Sequence, residues 1–96
     1  MLPVEWRDQA SADLEDILFY IADRNLSAAE SLNEAIEQAT SQLPQHPHLY
    51  RLGRVNGTRE IVVHPNYIVV YRVTSTTIEI LAVMHSRQQY PKPHVR

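Results

Sequence analysis

Apolar positions change their spacing twice along the chain. Leu2, Val4 and Trp6 alternate with Pro3 and Glu5, the two-residue rhythm of a half-buried strand. Pro3 has no amide to give to a ladder, which places that strand at a sheet edge or at its own beginning. From Ser11 the rhythm is helical. Leu14, Ile17, Leu18 and Ile21 form one stripe, and Asp13, Glu15, Asp16 and Asp23 occupy other faces. Asp23, Arg24 and Asn25 then carry turn chemistry, and Ser27 stands three residues before Glu30, the spacing of a capping box. A second amphipathic helix is predicted from there, with Ala28, Ala29, Leu32, Ala35, Ile36, Ala39 and Leu43 on its stripe. Pro44 and Pro47 end it. Two helices joined so tightly make an antiparallel hairpin.

Beyond Pro44 the pattern turns to β. Residues 58–63, 67–73 and 77–84 are rich in Val, Ile, Tyr and Thr. His64-Pro65-Asn66 supplies the first turn between them, since proline presets φ, and Thr74-Ser75-Thr76 the second. The predicted fold is α+β: an amino-terminal strand, an antiparallel helical hairpin, then a three-stranded antiparallel meander (β-α-α-β-β-β). Residues 1–90 form one domain, and 91–96, with Pro91 and Pro93, an irregular tail. The helices must lay both stripes on one sheet face, which leaves the other face open to a ligand or protein.

Composition narrows the function classes. A chain of 96 residues is one domain, and so small a core points to reliance on a partner. With no cysteine there is neither a disulfide framework nor a thiolate site. The densest apolar run, 61–70, is broken by His64, Pro65 and Asn66. The amino terminus lacks the order of a signal peptide, so a cytoplasmic protein without a membrane partner is expected. The formal charge of -2 hides a division. Residues 1–50 carry two cations against nine acids, net −7, and residues 51–96 seven cations against two acids, net +5. Either the two halves neutralise each other in the fold, or one face is kept for an anionic partner.

Asp13-Leu14-Glu15-Asp16-Ile17, Tyr20-Ile21-Ala22 and the Ala28-Ala29 start of the second helix resemble the helical hairpin of the RelE/ParE superfamily of toxins. So do Gly57-Thr58-Arg59-Glu60-Ile61-Val62-Val63, the stretch from Tyr67 to Val73, and Ile80-Leu81-Ala82-Val83-Met84-His85-Ser86-Arg87. The resemblance covers about residues 2–90 and rests on the order and spacing of these segments together. It implies growth inhibition within a type II toxin–antitoxin system, and a hetero-oligomer with a cognate antitoxin. Two target classes follow from it, with ribosome-dependent mRNA cleavage the leading expectation and gyrase inhibition the alternative. RelE-like members cut messenger RNA on the ribosome as mRNA interferases, whereas ParE-like members inhibit DNA gyrase without catalysis.

Metal-independent RNA cleavage needs a proton acceptor for the 2′-OH, a proton donor for the leaving oxygen, and cations for the phosphate. Histidine suits the proton transfers and arginine the phosphate. The resemblance places His85 and Arg87, after the last strand, where the family has its carboxy-terminal catalytic and RNA-contacting residues. His64 and Arg59 complete the candidate catalytic set, and Tyr67, Tyr90 and Arg54 are candidates for holding RNA. No metal or cofactor is called for, because no histidine has persuasive metal-ligand spacing. One departure counts against cleavage. Many RelE-like nucleases carry an arginine directly after the aromatic that opens the central strand, and here that residue is Ile68. In some histidine-based members a second histidine falls at the position of Val62, two residues before His64. On a regular strand the two positions share a face. Plainer readings stand beside these: His46 and His48 as solvated loop residues, Tyr67 and Tyr71 as core, Arg72 as a surface charge.

Overall fold

A computed structural model describes residues 1–91. β1 (Val4–Trp6) leads through Arg7 into α1 (Asp8–Ala22), and α2 (Leu26–Ser41) follows after Asp23, Arg24 and Asn25. Four strands complete the chain: β2 (Arg51–Leu52), β3 (Arg59–His64), β4 (Tyr67–Val73) and β5 (Ile78–His85). All five strands form one sheet in the order β1-β5-β4-β3-β2. β3, β4 and β5 are the expected antiparallel meander, and β1 joins it parallel to β5, with Val4 beside Ile78 and Trp6 beside Ile80. Pro3 precedes this edge strand, and its carbonyl accepts the Ile78 N–H at 2.8 Å. Among the described residues no helix is long and apolar enough to cross a membrane.

Three local expectations are corrected. α1 starts at Asp8, not Ser11, because Ala10 already sits on the core with no exposed surface. α2 is capped by Asn25, not by a Ser27–Glu30 box. Asn25 is the last residue with extended backbone, and its side-chain oxygen accepts the Ala28 N–H at 3.0 Å, which leaves Ser27 inside the first turn. The two-residue β2 was not expected, since Arg51 and Leu52 are both exposed and show no alternation; it pairs Arg51 with Glu60 and Leu52 with Arg59. Of the tail, Pro91 follows a bend and 92–96 lie outside the described residues.

The helices cover one sheet face. There Leu32, Ile36 and Leu43 meet Ile61, Val69, Tyr71, Ile78, Ile80 and Val83, and Trp6 packs partly buried at the margin. The opposite face is not bare. Ile68, Val70, Ala82 and Met84 are each at most 4% exposed there, with Leu81 and Tyr90 packed against them. At roughly 1.5–3 kcal/mol per buried apolar side chain, this second cluster is a core in its own right.

Two bulges decide which side chain points where. Val70 pairs with Ala82 and Tyr71 with Ile80, which leaves Leu81 as an extra residue in β5. Val62 pairs with Ile68 and His64 with Tyr67, which leaves Val63 extra in β3. Each inserted residue reverses the alternation beyond it. Val62 therefore shares the face of Ile68, while His64 stands beside Tyr67, whose ring belongs to the helix-covered side. The expectation that positions 62 and 64 share a face fails at that bulge.

Candidate functional site

The hairpin between β3 and β4 meets the end of β5 so that Tyr67 pairs with both His64 and His85. The three rings form a row. The Tyr67 centroid lies 5.8 Å from that of His64 and 5.5 Å from that of His85. Each imidazole is held by the backbone just after it. The Asn66 N–H donates to His64 Nδ1 at 3.0 Å, and the Arg87 N–H donates to His85 Nδ1 at 3.1 Å. An amide can only donate, so both Nδ1 atoms are acceptors and each neutral ring carries its proton on Nε2. Each histidine in this geometry is an outward hydrogen-bond donor. Taking up a proton at Nε2 requires the other tautomer, and protonating the ring breaks the Nδ1 bond. Arg87 meets this row through its backbone N–H, and its side chain is exposed.

The other two arginines of the expected site lie elsewhere. Arg59 pairs with Tyr71, four residues along β4 from Tyr67, a separation of roughly 13 Å at the strand rise. Its guanidinium donates to the carbonyls of His48 at 3.2 Å and Tyr50 at 2.7 Å, so it ties the 44–50 loop to the sheet. Tyr71 completes that tie by donating its hydroxyl to the Pro47 carbonyl at 2.6 Å. Burial pushes the Tyr71 phenol above its usual pKa, and the Arg59 charge opposes the rise. His46 and His48 are exposed in this loop.

Arg54 lies on the opposite, helix-free face. The segment between β2 and β3 turns through Gly57, whose φ of 83° a side chain would strain, and this bend returns Arg54 over Glu60. Its backbone N–H and its Nε both reach Glu60 Oε2, at 3.0 and 3.3 Å. The two remaining guanidinium nitrogens donate to the carbonyls of Gln88 at 2.9 Å and Ser86 at 3.1 Å. Tyr90, on the same segment, covers Ile68, Val70, Ala82 and Met84, and burial raises its phenol pKa too. A cavity of about 250 Å³ beside it is lined by Gln9, Asp13, Leu81, Ala82, Met84 and Gln88. The expected residues thus divide. His64, Tyr67, His85 and Arg87 adjoin one another, Arg59 anchors a loop, and Arg54 and Tyr90 belong to the other face.

Sequence reasoning missed the ion pairs that organise that face. Glu60, 3% exposed, takes Arg51 at 3.0 Å as well as Arg54. Glu79 takes Arg7 at 2.9 Å and Arg72 at 2.7 Å. The signal was present: Glu60 and Glu79 are the only acids after residue 50, and both fall inside strand-forming runs. A carboxylate there is stable only with cations over it.

Comparison with known proteins settles the family. Residues 4–90 match the family model of the ParE toxin of type II toxin–antitoxin systems, parDE. The chain belongs to the ParE toxin family. This ParE-family toxin is 37% identical to the Y4kP protein of Sinorhizobium fredii over 90 residues, 93% of each chain. It is 31% identical to the toxin RelE2 of Caulobacter vibrioides over 86 residues, covering 90% of this chain and 97% of that one. Its fold matches a chain of the chromosomal ParDE system of P. aeruginosa with a TM-score of 0.78 at 22% identity, covering 88% of this toxin and 96% of that chain. The toxin is thus one half of a type II toxin–antitoxin pair, within the wider RelE/ParE superfamily and its α+β fold.

Proposed function

We propose that this ParE-family toxin arrests growth by binding and inhibiting DNA gyrase, without cutting RNA. The observation that carries this reading is the state of the two histidines. Both give their Nδ1 lone pairs to backbone amides, so neither presents a free proton acceptor at Nε2. Two of the three candidate arginines are spent elsewhere, Arg59 on loop carbonyls and Arg54 on Glu60 and the carboxy-terminal segment, which leaves Arg87 as the one cation beside the row. Ile68, where many RelE-like nucleases have arginine, is buried in the second cluster and offers no charge to a phosphate. The ParE family match over residues 4–90 agrees with this reading.

One purified preparation, free of antitoxin, tests it in two assays. Gyrase supercoiling should be inhibited, while messenger RNA in a cell-free translation reaction stays intact. His85→Ala should inhibit supercoiling within about twofold of the parent, since that ring lies outside any chemistry in this reading. A second reading, ribosome-dependent mRNA cleavage, rests on the row of His64, Tyr67 and His85 with Arg87 beside it. Codon-positioned cuts that disappear in His85→Ala would establish that reading and remove the first.

A further inference from the structure

We propose that the toxin engages gyrase through the turn end of its helical hairpin, where Phe19 and Leu26 present an apolar patch inside a rim of carboxylates. The occupant this surface fits is a basic protein segment of gyrase that carries a large apolar anchor between lysines or arginines. The inference rests on the gyrase reading given above and names the surface through which that reading acts.

The patch is no extension of the core. In α1 the stripe that packs against the core is Leu14, Ile17, Leu18 and Ile21. Phe19 lies off that stripe and is 74% exposed. Leu26 opens α2 directly after its Asn25 cap and is 63% exposed. Single exposed apolar residues are ordinary on a protein surface. These two are joined: with Leu18, Ala22 and Ala29 they line one open depression of about 230 Å³ that spans both helices. A contiguous apolar patch with a polar rim is the mark of a contact surface.

The rim sets the sign of the partner. Glu15 and Asp16 stand one turn before Phe19, Asp23 one turn after it, and Glu30 lines the depression itself with Glu34 one turn further on. All five are exposed, and among the described residues none forms an ion pair. The hairpin's one cation, Arg24, lies 3.9 Å over the Tyr20 ring and donates to the Tyr20 carbonyl at 2.9 Å. A second hairpin would bring the same acids and be repelled, as would nucleic acid or an anionic membrane. Lysines or arginines of a protein partner are instead drawn in. An apolar anchor between them displaces water from Phe19 and Leu26, and the carboxylates around it form the polar ring that surrounds a well-packed contact centre.

Supercoiling by assembled gyrase, titrated with the full toxin chain free of antitoxin, tests the surface, and a thermal melt of each variant checks its folding. Phe19→Ser with Leu26→Ser should raise the toxin concentration for half inhibition by about thirtyfold, with the melting midpoint preserved. Glu15→Lys with Glu30→Lys should raise it by about tenfold and flatten its dependence on salt. Leu49→Ser with Leu52→Ser, a matched pair 69% and 75% exposed at β2, should stay within about twofold of the parent. If the first pair lowers the melting midpoint, the charge pair decides. Variants of both hairpin pairs that inhibit as well as an active parent would overturn this surface and leave the gyrase reading standing. A parent that does not inhibit removes that reading and this surface with it. Sedimentation of the free parent should show a monomer; a dimer that Phe19→Ser with Leu26→Ser dissolves would give the patch to a second copy and overturn the proposal.

Discussion

Tyr71 shows how one side chain ties the core to a loop that has no regular structure. The ring is fully buried on β4 and meets Tyr50 edge-on at 6.4 Å, and its hydroxyl crosses to the Pro47 carbonyl. Tyr71→Phe keeps the ring and leaves that carbonyl without its donor, a loss of about 1–3 kcal/mol. For a domain of this size each kcal/mol lowers Tm by roughly 4–8 °C, which a thermal melt at neutral pH would register. The same residue gives the toxin an alkaline limit. Because burial raises the folded phenol above its usual 10.0, the unfolded chain gives up that proton first as the pH climbs. Stability is whole below about pH 10, and it falls as the pH rises through the folded value. Tyr90 shifts in the same direction for the same reason. Denaturant midpoints should therefore drop above about pH 10, and Tyr71→Phe should show a shallower drop while retaining the part due to Tyr90. An equal alkaline slope in parent and variant would show that Tyr71 titrates alike in both states.

Asn25 sets where α2 begins, and Asn25→Ala should cost about 1 kcal/mol, read as a lower urea midpoint at unchanged slope. Ser27→Ala, one turn position too late to cap, should change the midpoint by less than about 0.5 kcal/mol. The contrast marks where the sequence was readable. Long periodic stretches gave both helices and the three long strands, because burying a stripe or a face leaves a repeating imprint on residue choice. The cap was misplaced because Asn25 and Ser27 are both good caps, and only the path of the chain out of α1 selects between them. β2 was invisible because two exposed residues have no alternation to read. The site was harder still. His64, Tyr67 and His85 adjoin because the β3–β4 turn and the register of β5 fix them there. The roles of Arg54 and Arg59 were hidden because each is set by a distant partner, Glu60 with the 86–88 carbonyls in one case and the 48–50 carbonyls in the other. Two bulges reversed side-chain direction in β3 and β5, and nothing in Val63 or Leu81 themselves announces an inserted residue.

Across the whole molecule, the division of charge along the chain becomes a division in space. The hairpin carries eight acids with Arg24 as their only cation, and of these Asp13 lines the cavity beside Tyr90, while Arg7, Arg51, Arg54 and Arg72 gather on the helix-free face. The alternative, in which the two halves neutralise each other, does not describe this fold. Among the described residues no hairpin acid forms an ion pair, and every pair uses Glu60 or Glu79. A molecule polarised in this way turns its positive side toward an antitoxin whose contacting segment is acidic before the two touch. That preference acts on the encounter, so it belongs in the association rate. Raising salt from about 50 to 500 mM shortens the screening length from roughly 14 Å to 4 Å and should slow association by about tenfold, with dissociation changing far less. Arg51→Gln with Arg72→Gln removes two of the four cations of that side and should flatten that salt dependence. Glu34→Gln with Glu37→Gln, on the helical side, should leave it as steep or make it steeper. Stopped-flow mixing across a salt series separates the two pairs. If the hairpin variants are the ones that flatten the curve, the antitoxin approaches the helices, and the arginine-bearing face has no part in the encounter.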